Sequence, residues 1–169
     1  MLATPSAMVP LGTPAPAFSL ADSDGMTWTF DRIAGRYGTV VVFAANDCPF
    51  VTHIAGQVGV LAAQWRQVGV GVVGINSVEP ASGGWRWTFP YLTDADQAVA
   101  RHCGAACTPD FFLYDSGRTL VYRGRFDAAV PGNGVPVTGD ELAAAVQAMR
   151  DGEEIVDIGQ LPSRGCPIT

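Results

Sequence analysis

Val40-Val41-Val42-Phe43 is apolar and largely β-branched without a break, the pattern of a strand buried on both faces. Val70 to Ile75 has the same character. Between them Val51, Ile54, Val58, Leu61, Trp65 and Val68 recur at spacings of three and four, which is one face of a helix. Pro49 suits a first helical position and Gly69 a stop. Gly56 and Gly59 each weaken such a helix by about 1 kcal/mol relative to Ala, which packing of the stripe must outweigh. Strand, helix and strand in this order predict a βαβ unit with parallel pairing at the centre of a sheet.

The flanks read differently. Residues 1–17 are rich in Pro, Ala and Thr and predict an extended arm. Phe18-Ser19-Leu20 and Met26-Thr27-Trp28-Thr29-Phe30 alternate as two short strands around an Asp22-Ser23-Asp24-Gly25 turn. Residues 79–87 predict a loop, 89–92 a short edge segment, and 94–102 a short helix capped by an Asp. Phe111 to Tyr114 and Thr119 to Tyr122 form a hairpin around Asp115-Ser116-Gly117-Arg118. After a Gly/Pro loop at 127–137, Thr138-Gly139-Asp140-Glu141 reads as a capping box opening a helix with Leu142, Val146 and Met149 on one face and Gly152 at its end. The tail, 153–169, is expected to be mobile or draped on the surface.

Composition narrows the function classes. The chain has 169 residues, 48% of them hydrophobic, which suits one domain over 1–169. The net charge of −6 argues against nucleic-acid binding, since phosphate backbones need concentrated positive charge. No apolar run is long enough to span a bilayer, so no membrane partner is expected. No basic and apolar leader pattern stands at the N-terminus, which predicts the cytoplasm, where thiols stay reduced. Four cysteines are too few for a disulfide scaffold, so their positions carry the interest.

Cys48 follows a buried strand and precedes a long helix, where amide N–H groups favour a thiolate. Its neighbour Asp47 opposes that effect. Packing as a small apolar group is the plainer role for such a cysteine. Cys107-Thr108-Pro109 places an X-Pro bond before a strand, and an ordinary trans proline is the commoner case. Cys166, in the tail, has the reach to meet Cys48 in the same or a neighbouring subunit as a resolving thiol. Cys103 and Cys107, with Cys48 and His53, match no standard zinc spacing, so no metal is expected. Arg123 and Arg125 are either solvated strand charges or stabilisers of an anionic sulfur or substrate.

Five blocks in order resemble the alkyl hydroperoxide reductase and peroxiredoxin branch of the thioredoxin superfamily. They are Gly12 to Leu20, Asn46-Asp47-Cys48-Pro49-Phe50-Val51, Gly104 to Leu113, Val121 to Arg125, and Gly165-Cys166-Pro167-Ile168. The resemblance implies an α/β thioredoxin-like fold: a central mixed sheet flanked by helices, with an N-terminal β-hairpin extension. It puts Cys48 at the redox position, with Asn46, Asp47, Pro49, Phe50, Thr108, Pro109, Arg123 and Arg125 as site walls and Pro109 as a cis-proline facing the cysteine. Val51 stands where a thioredoxin has its second cysteine. Ala44 and Ala45 stand where a peroxiredoxin has a Pro and a Thr, the latter helping to hold the peroxide.

The function this implies is a thiol-dependent oxidoreductase without a cofactor. Cys48 attacks a peroxide or disulfide, Cys107 or Cys166 resolves the product, and an external thiol of thioredoxin or glutathione type restores the protein. A homodimer is compatible with that scheme. The alternative is a non-catalytic thioredoxin-fold binding module, with exposed tryptophans of the 83–89 loop as contacts.

Overall fold

The computed structural model describes residues 2–81 and 85–169. In chain order the elements are β1 (Thr4–Pro5), β2 (Ser19–Ala21), β3 (Thr27–Thr29), α1 (Phe30–Ile33), β4 (Gly38–Phe43), α2 (Pro49–Gln67), β5 (Val70–Asn76) and β6 (Tyr91–Thr93). They continue with α3 (Ala98–Cys103), β7 (Cys107–Thr108), β8 (Asp110–Asp115), β9 (Leu120–Gly124), α4 (Asp140–Arg150) and β10 (Arg164–Pro167). The main sheet runs β6-β5-β4-β8-β9. β4, β5 and β6 are parallel, and β8 and β9 are antiparallel additions. This is the expected mixed sheet, with the expected βαβ unit at its centre.

Alternation along β4 explains the unbroken apolar run. Val40 and Val42 face one side, where Ile54, Val58, Ala62 and Trp65 of α2 pack with Leu142, Ala145 and Val146 of α4. Val41 and Phe43 face the other, against Phe30 and Ile33 of α1 and Val99, Ala100 and Cys103 of α3. Both faces are therefore covered, as parallel strands require. The buried stripe of α2 runs through Ala62, with Leu61 on its margin. A Cβ on Gly59 would lie 3.2 Å from the Trp87 ring, so the glycine makes room for the indole that covers this helix.

Several local expectations are corrected. Phe30 starts α1 instead of ending a strand. The short helix begins at Ala98, yet Asp94 still caps it: its carboxylate accepts from the Val99 and Ala100 N–H groups and from Ser77 Oγ. The capping box at 138–141 does not close. Asp127 takes the Thr138 and Gly139 N–H groups, Gly139 is left-handed at φ 73°, and Glu141 turns to Arg125 instead. A charged partner within reach outcompetes a local cap.

The ends of the chain hold the largest surprise. β10 lies between β1 and β7, pairing Gly165 with Thr4 and Cys166 with Thr108. Of the tail, expected to be mobile or draped on the surface, residues 164–167 thus form a sheet strand. Beyond it, Ile168 N–H donates to Ala106 O, and Gln97 donates to Thr169 O. Of the loop expected at 79–87, residues 82–84 lie outside the described residues. Trp85 and Trp87, expected to be exposed, are half-buried: they stack at 5.6 Å, and Trp87 Nε1 donates to Ala55 O. Among the described residues no helix is long and apolar enough to cross a membrane.

Candidate functional site

The site forms where parallel strands end and helix α2 begins. β4 finishes at Phe43, and residues 44–47 lead to Cys48, the residue that caps α2. Cys48 offers the helix no side-chain hydrogen bond, and Pro49 occupies the first helical position. Proline lacks the N–H that would go unused there. The sulfur therefore sits at the positive end of a 19-residue helix. Cys48 is 2% exposed and clusters with Ala44, Ala45 and Val51, with Phe50, Trp85, Trp87, Tyr91 and Cys166 packed around them.

Two contacts define the sulfur's position. Cys48 Sγ donates to the Thr108 carbonyl at 3.1 Å. It lies 2.8 Å from Cys166 Sγ. That separation exceeds the ~2.05 Å of a disulfide, yet a small movement closes it. Both cysteines are free thiols here. Strand pairing, not tail mobility, delivers Cys166. A Cβ on Gly165 would fall 1.8 Å from Thr108 O, so β10 can lie this close to β7 only with glycine at that position. Burial, reinforced by the neighbouring Cys48, pushes the Cys166 thiol up to about 12.

Cys107 takes a different place. It is fully buried, with its sulfur 3.6 Å from Pro109 O. Burial first, and then the charge of Asp110, pushes its thiol well above the ordinary range. The Thr108–Pro109 bond is cis. Thr108 presents its carbonyl to Cys48, while its hydroxyl is buried without a hydrogen-bond partner among the described residues.

The remaining wall residues divide. Asn46 is gripped on several sides: its N–H donates to Glu79 Oε1 at 2.6 Å, its Nδ2 to Pro80 O, and its Oδ1 accepts from Tyr91 OH. Asn76 at the end of β5 ties this together, donating to Tyr91 OH at 3.0 Å and to Glu79 Oε1 at 3.3 Å. Burial raises the Tyr91 hydroxyl to about 12, so it stays a neutral donor. Asp47 and Pro49 are exposed. Phe50, Pro109 and Arg125 line a cleft of about 240 Å³ that neither Cys48 nor Cys166 lines, with Asp127 and Arg164 also in its wall. Arg125 is also held by Glu141 at 2.9 Å. Arg123 is neither a solvated charge nor directed at the sulfurs. It is 7% exposed and donates to Val9 O, Asp157 and Gln160, fastening the N-terminal arm and the tail to β9.

Sequence reasoning missed Asn76, Glu79 and Tyr91, which fix the turn before Cys48. One signal pointed to them: in open α/β sheets the ends of parallel strands carry the sites, and Asn76 ends β5 beside the end of β4. It also missed Asp110, whose carboxylate accepts from Ser6 Oγ and from Ala106 N–H. Among the described residues no group of three or more His, Cys, Asp or Glu is arranged to hold a metal.

Two solved structures resemble the chain over its whole length. A hypothetical protein from Sinorhizobium meliloti 1021 is 42% identical, with 98% of this chain and 97% of that chain covered and a TM-score of 0.92. An uncharacterized conserved protein from Geobacillus kaustophilus is 38% identical, with 100% and 96% covered and a TM-score of 0.93. Peroxidoxin BcpB from Mycobacterium tuberculosis shares the fold at 20% identity and a TM-score of 0.63, over 83% of this chain and 96% of that one. No curated protein matches. The thioredoxin-like fold expected from the sequence is thus present. Residues 11–123, well over half of the chain, match the AhpC/TSA family, and the protein belongs to that family.

Proposed function

We propose that this protein is a thiol–disulfide oxidoreductase whose working pair is Cys48 and Cys166. Family membership supports a thioredoxin-like redox function in general. The observation that carries the finer reading is the 2.8 Å approach of the two sulfurs. The Cys48 thiolate attacks one sulfur of a disulfide substrate and expels the other as a thiolate. Cys166, as a thiolate, then attacks Cys48, releases the second substrate thiol and leaves a Cys48–Cys166 disulfide. Two external thiols return two electrons, become a disulfide themselves and leave both cysteines reduced.

A hydroperoxide enters the same scheme. It converts Cys48 to a sulfenic acid and leaves as an alcohol, and Cys166 then displaces water. Disulfides are the substrate class favoured here, because Ala44 and Ala45, in the stretch where the resembling peroxiredoxins carry the Thr that helps to hold the peroxide, have no side-chain donor. Cys107 is not the resolver in this reading: it is sealed in the core, while Cys166 is already in contact. The test is oxidation of the reduced protein with a stoichiometric disulfide or hydroperoxide, followed by non-reducing peptide mapping. A crosslink between Cys48 and Cys166 is expected, and turnover should vanish in Cys48→Ser. A crosslink to Cys107, or full turnover in that variant, refutes the proposal.

A further inference from the structure

We propose that the cleft between the 127–137 loop and the approach to β10 binds a small aliphatic monocarboxylate. Arg125 and Arg164 take the carboxylate, and Phe50, Ile54, Pro109 and Phe126 take the aliphatic body. Neither Cys48 nor Cys166 lines this cleft, so the site is separate from the sulfur chemistry proposed above. Most of its wall follows residue 123, where the matched family span ends.

Shape sets the size and the apolar half of the ligand. The cleft measures about 240 Å³. Ligand pockets commonly run to ~300–1,000 Å³, so the occupant here is small. Ile54 and Phe126 are buried in its floor, and Phe126 is fixed by stacking on Phe111 at 5.3 Å. Phe50, on the first turn of α2, is half-buried and keeps apolar surface open to a ligand. The opposite wall is already formed. Asp127 accepts from the Ala129, Thr138 and Gly139 N–H groups. Asn133 accepts from the Val130 and Val135 N–H groups and donates to Ala128 O. These bonds close the loop on itself, so little ordering remains to oppose binding.

The rim sets the charge. Glu141 holds Arg125 through Nε and Nη2 at 2.9 Å, which leaves Nη1 without a partner among the described residues. Arg164 is exposed and forms no ion pair among the described residues. Asp127, the acidic residue of the wall, spends its carboxylate on three backbone N–H groups. Two of these lead into α4, whose positive end offsets the charge. The donors left over are guanidinium N–H groups, whose planar fork matches a carboxylate. A second carboxylate on the ligand would meet Asp127, so a single negative charge fits.

Isothermal titration calorimetry on the reduced whole protein tests this with hexanoate, N-acetyl-leucine and hexanol. The two acids represent the two sources of such a group, a free aliphatic acid and the carboxyl end of a peptide. The one that binds more tightly identifies the source. At least one should bind with a stoichiometry of about one, and hexanol about tenfold more weakly. Arg164→Gln should weaken the acid about tenfold and leave hexanol unchanged. Ala129→Leu, which adds bulk to the cleft wall, should abolish binding of all three. The inference is overturned if neither acid binds, if hexanol binds as well as the acids, or if both variants bind as the wild type does. No oxidant is present and no sulfur is read, so this result and the Cys48–Cys166 crosslink succeed or fail separately.

Discussion

Replacing Asp110 with Asn should flatten the loss of stability that this carboxyl imposes between acid and neutral pH, although it removes a carboxylate that is hydrogen-bonded on both oxygens. Asp110 is fully buried next to Pro109. Ser6 Oγ donates to it at 2.7 Å and Ala106 N–H at 3.2 Å, but burial outweighs these bonds and raises the carboxyl from 3.8 to about 7. Between those two values the unfolded chain gives up this proton and the folded protein keeps it. The stabilising contribution is therefore complete below 3.8 and is lost as the pH rises through about 7. At about 1.4 kcal/mol per pH unit over roughly three units, the loss approaches about 4 kcal/mol. Asn cannot titrate and nearly matches the volume; its Oδ1 still accepts from Ser6, while its NH2 faces the Ala106 N–H, a cost that does not vary with pH. Urea unfolding followed by tryptophan fluorescence, in reducing buffer from about pH 4 to pH 8, measures both proteins. Subtracting one curve from the other cancels every other titrating group. The difference should swing toward the variant by about 4 kcal/mol across that range. A flat difference refutes the reasoning, because it means that Asp110 titrates alike in the folded and unfolded chains.

Two further substitutions probe the site's frame. Gly165→Ala sets a Cβ against Thr108 O and should prise β10 from β7; oxidation should then no longer crosslink Cys48 to Cys166, and Cys48 should alkylate faster while helix content by circular dichroism is unchanged. A crosslink formed as in the wild type would show that strand docking does not set the sulfur pair. Thr108→Val replaces a buried hydroxyl that has no partner among the described residues with an isosteric methyl and should raise stability by about 1 kcal/mol, read as a higher urea midpoint at constant slope.

The centre of the fold was legible because its signals are local. Val40 to Phe43, the helical stripe from Val51 and the strand to Ile75 each announce their own periodicity, and their order dictates a parallel pair. The strand-to-helix turn likewise placed Cys48 without knowledge of distant residues. What the sequence hid depends on partners far along the chain. Residues 164–167 have too little apolar content to read as a strand, and they form one only because Thr4 and Thr108 supply edges on both sides. The motif at 138–141 looked like a capping box, but Asp127 and Arg125 are better partners than the backbone it would have served. In the sequence Arg123 reads as a surface charge or an active-site cation. Its carbonyl and carboxamide partners, Val9 and Gln160, lie 114 and 37 residues away.

The position of Cys166 has a consequence for how the protein is made. Cys48 and Cys166 are 118 residues apart. At ~5–20 residues per second, synthesis separates them by about 6 to 24 s. β4, α2 and β5 are local in sequence and can assemble early, whereas β10 docks only after residues 164–167 have left the ribosome. During that interval the nascent chain carries Cys48 without the sulfur that later covers it. The newborn thiol therefore meets its surroundings alone, and the ordering of its chemistry begins only when the last strand arrives.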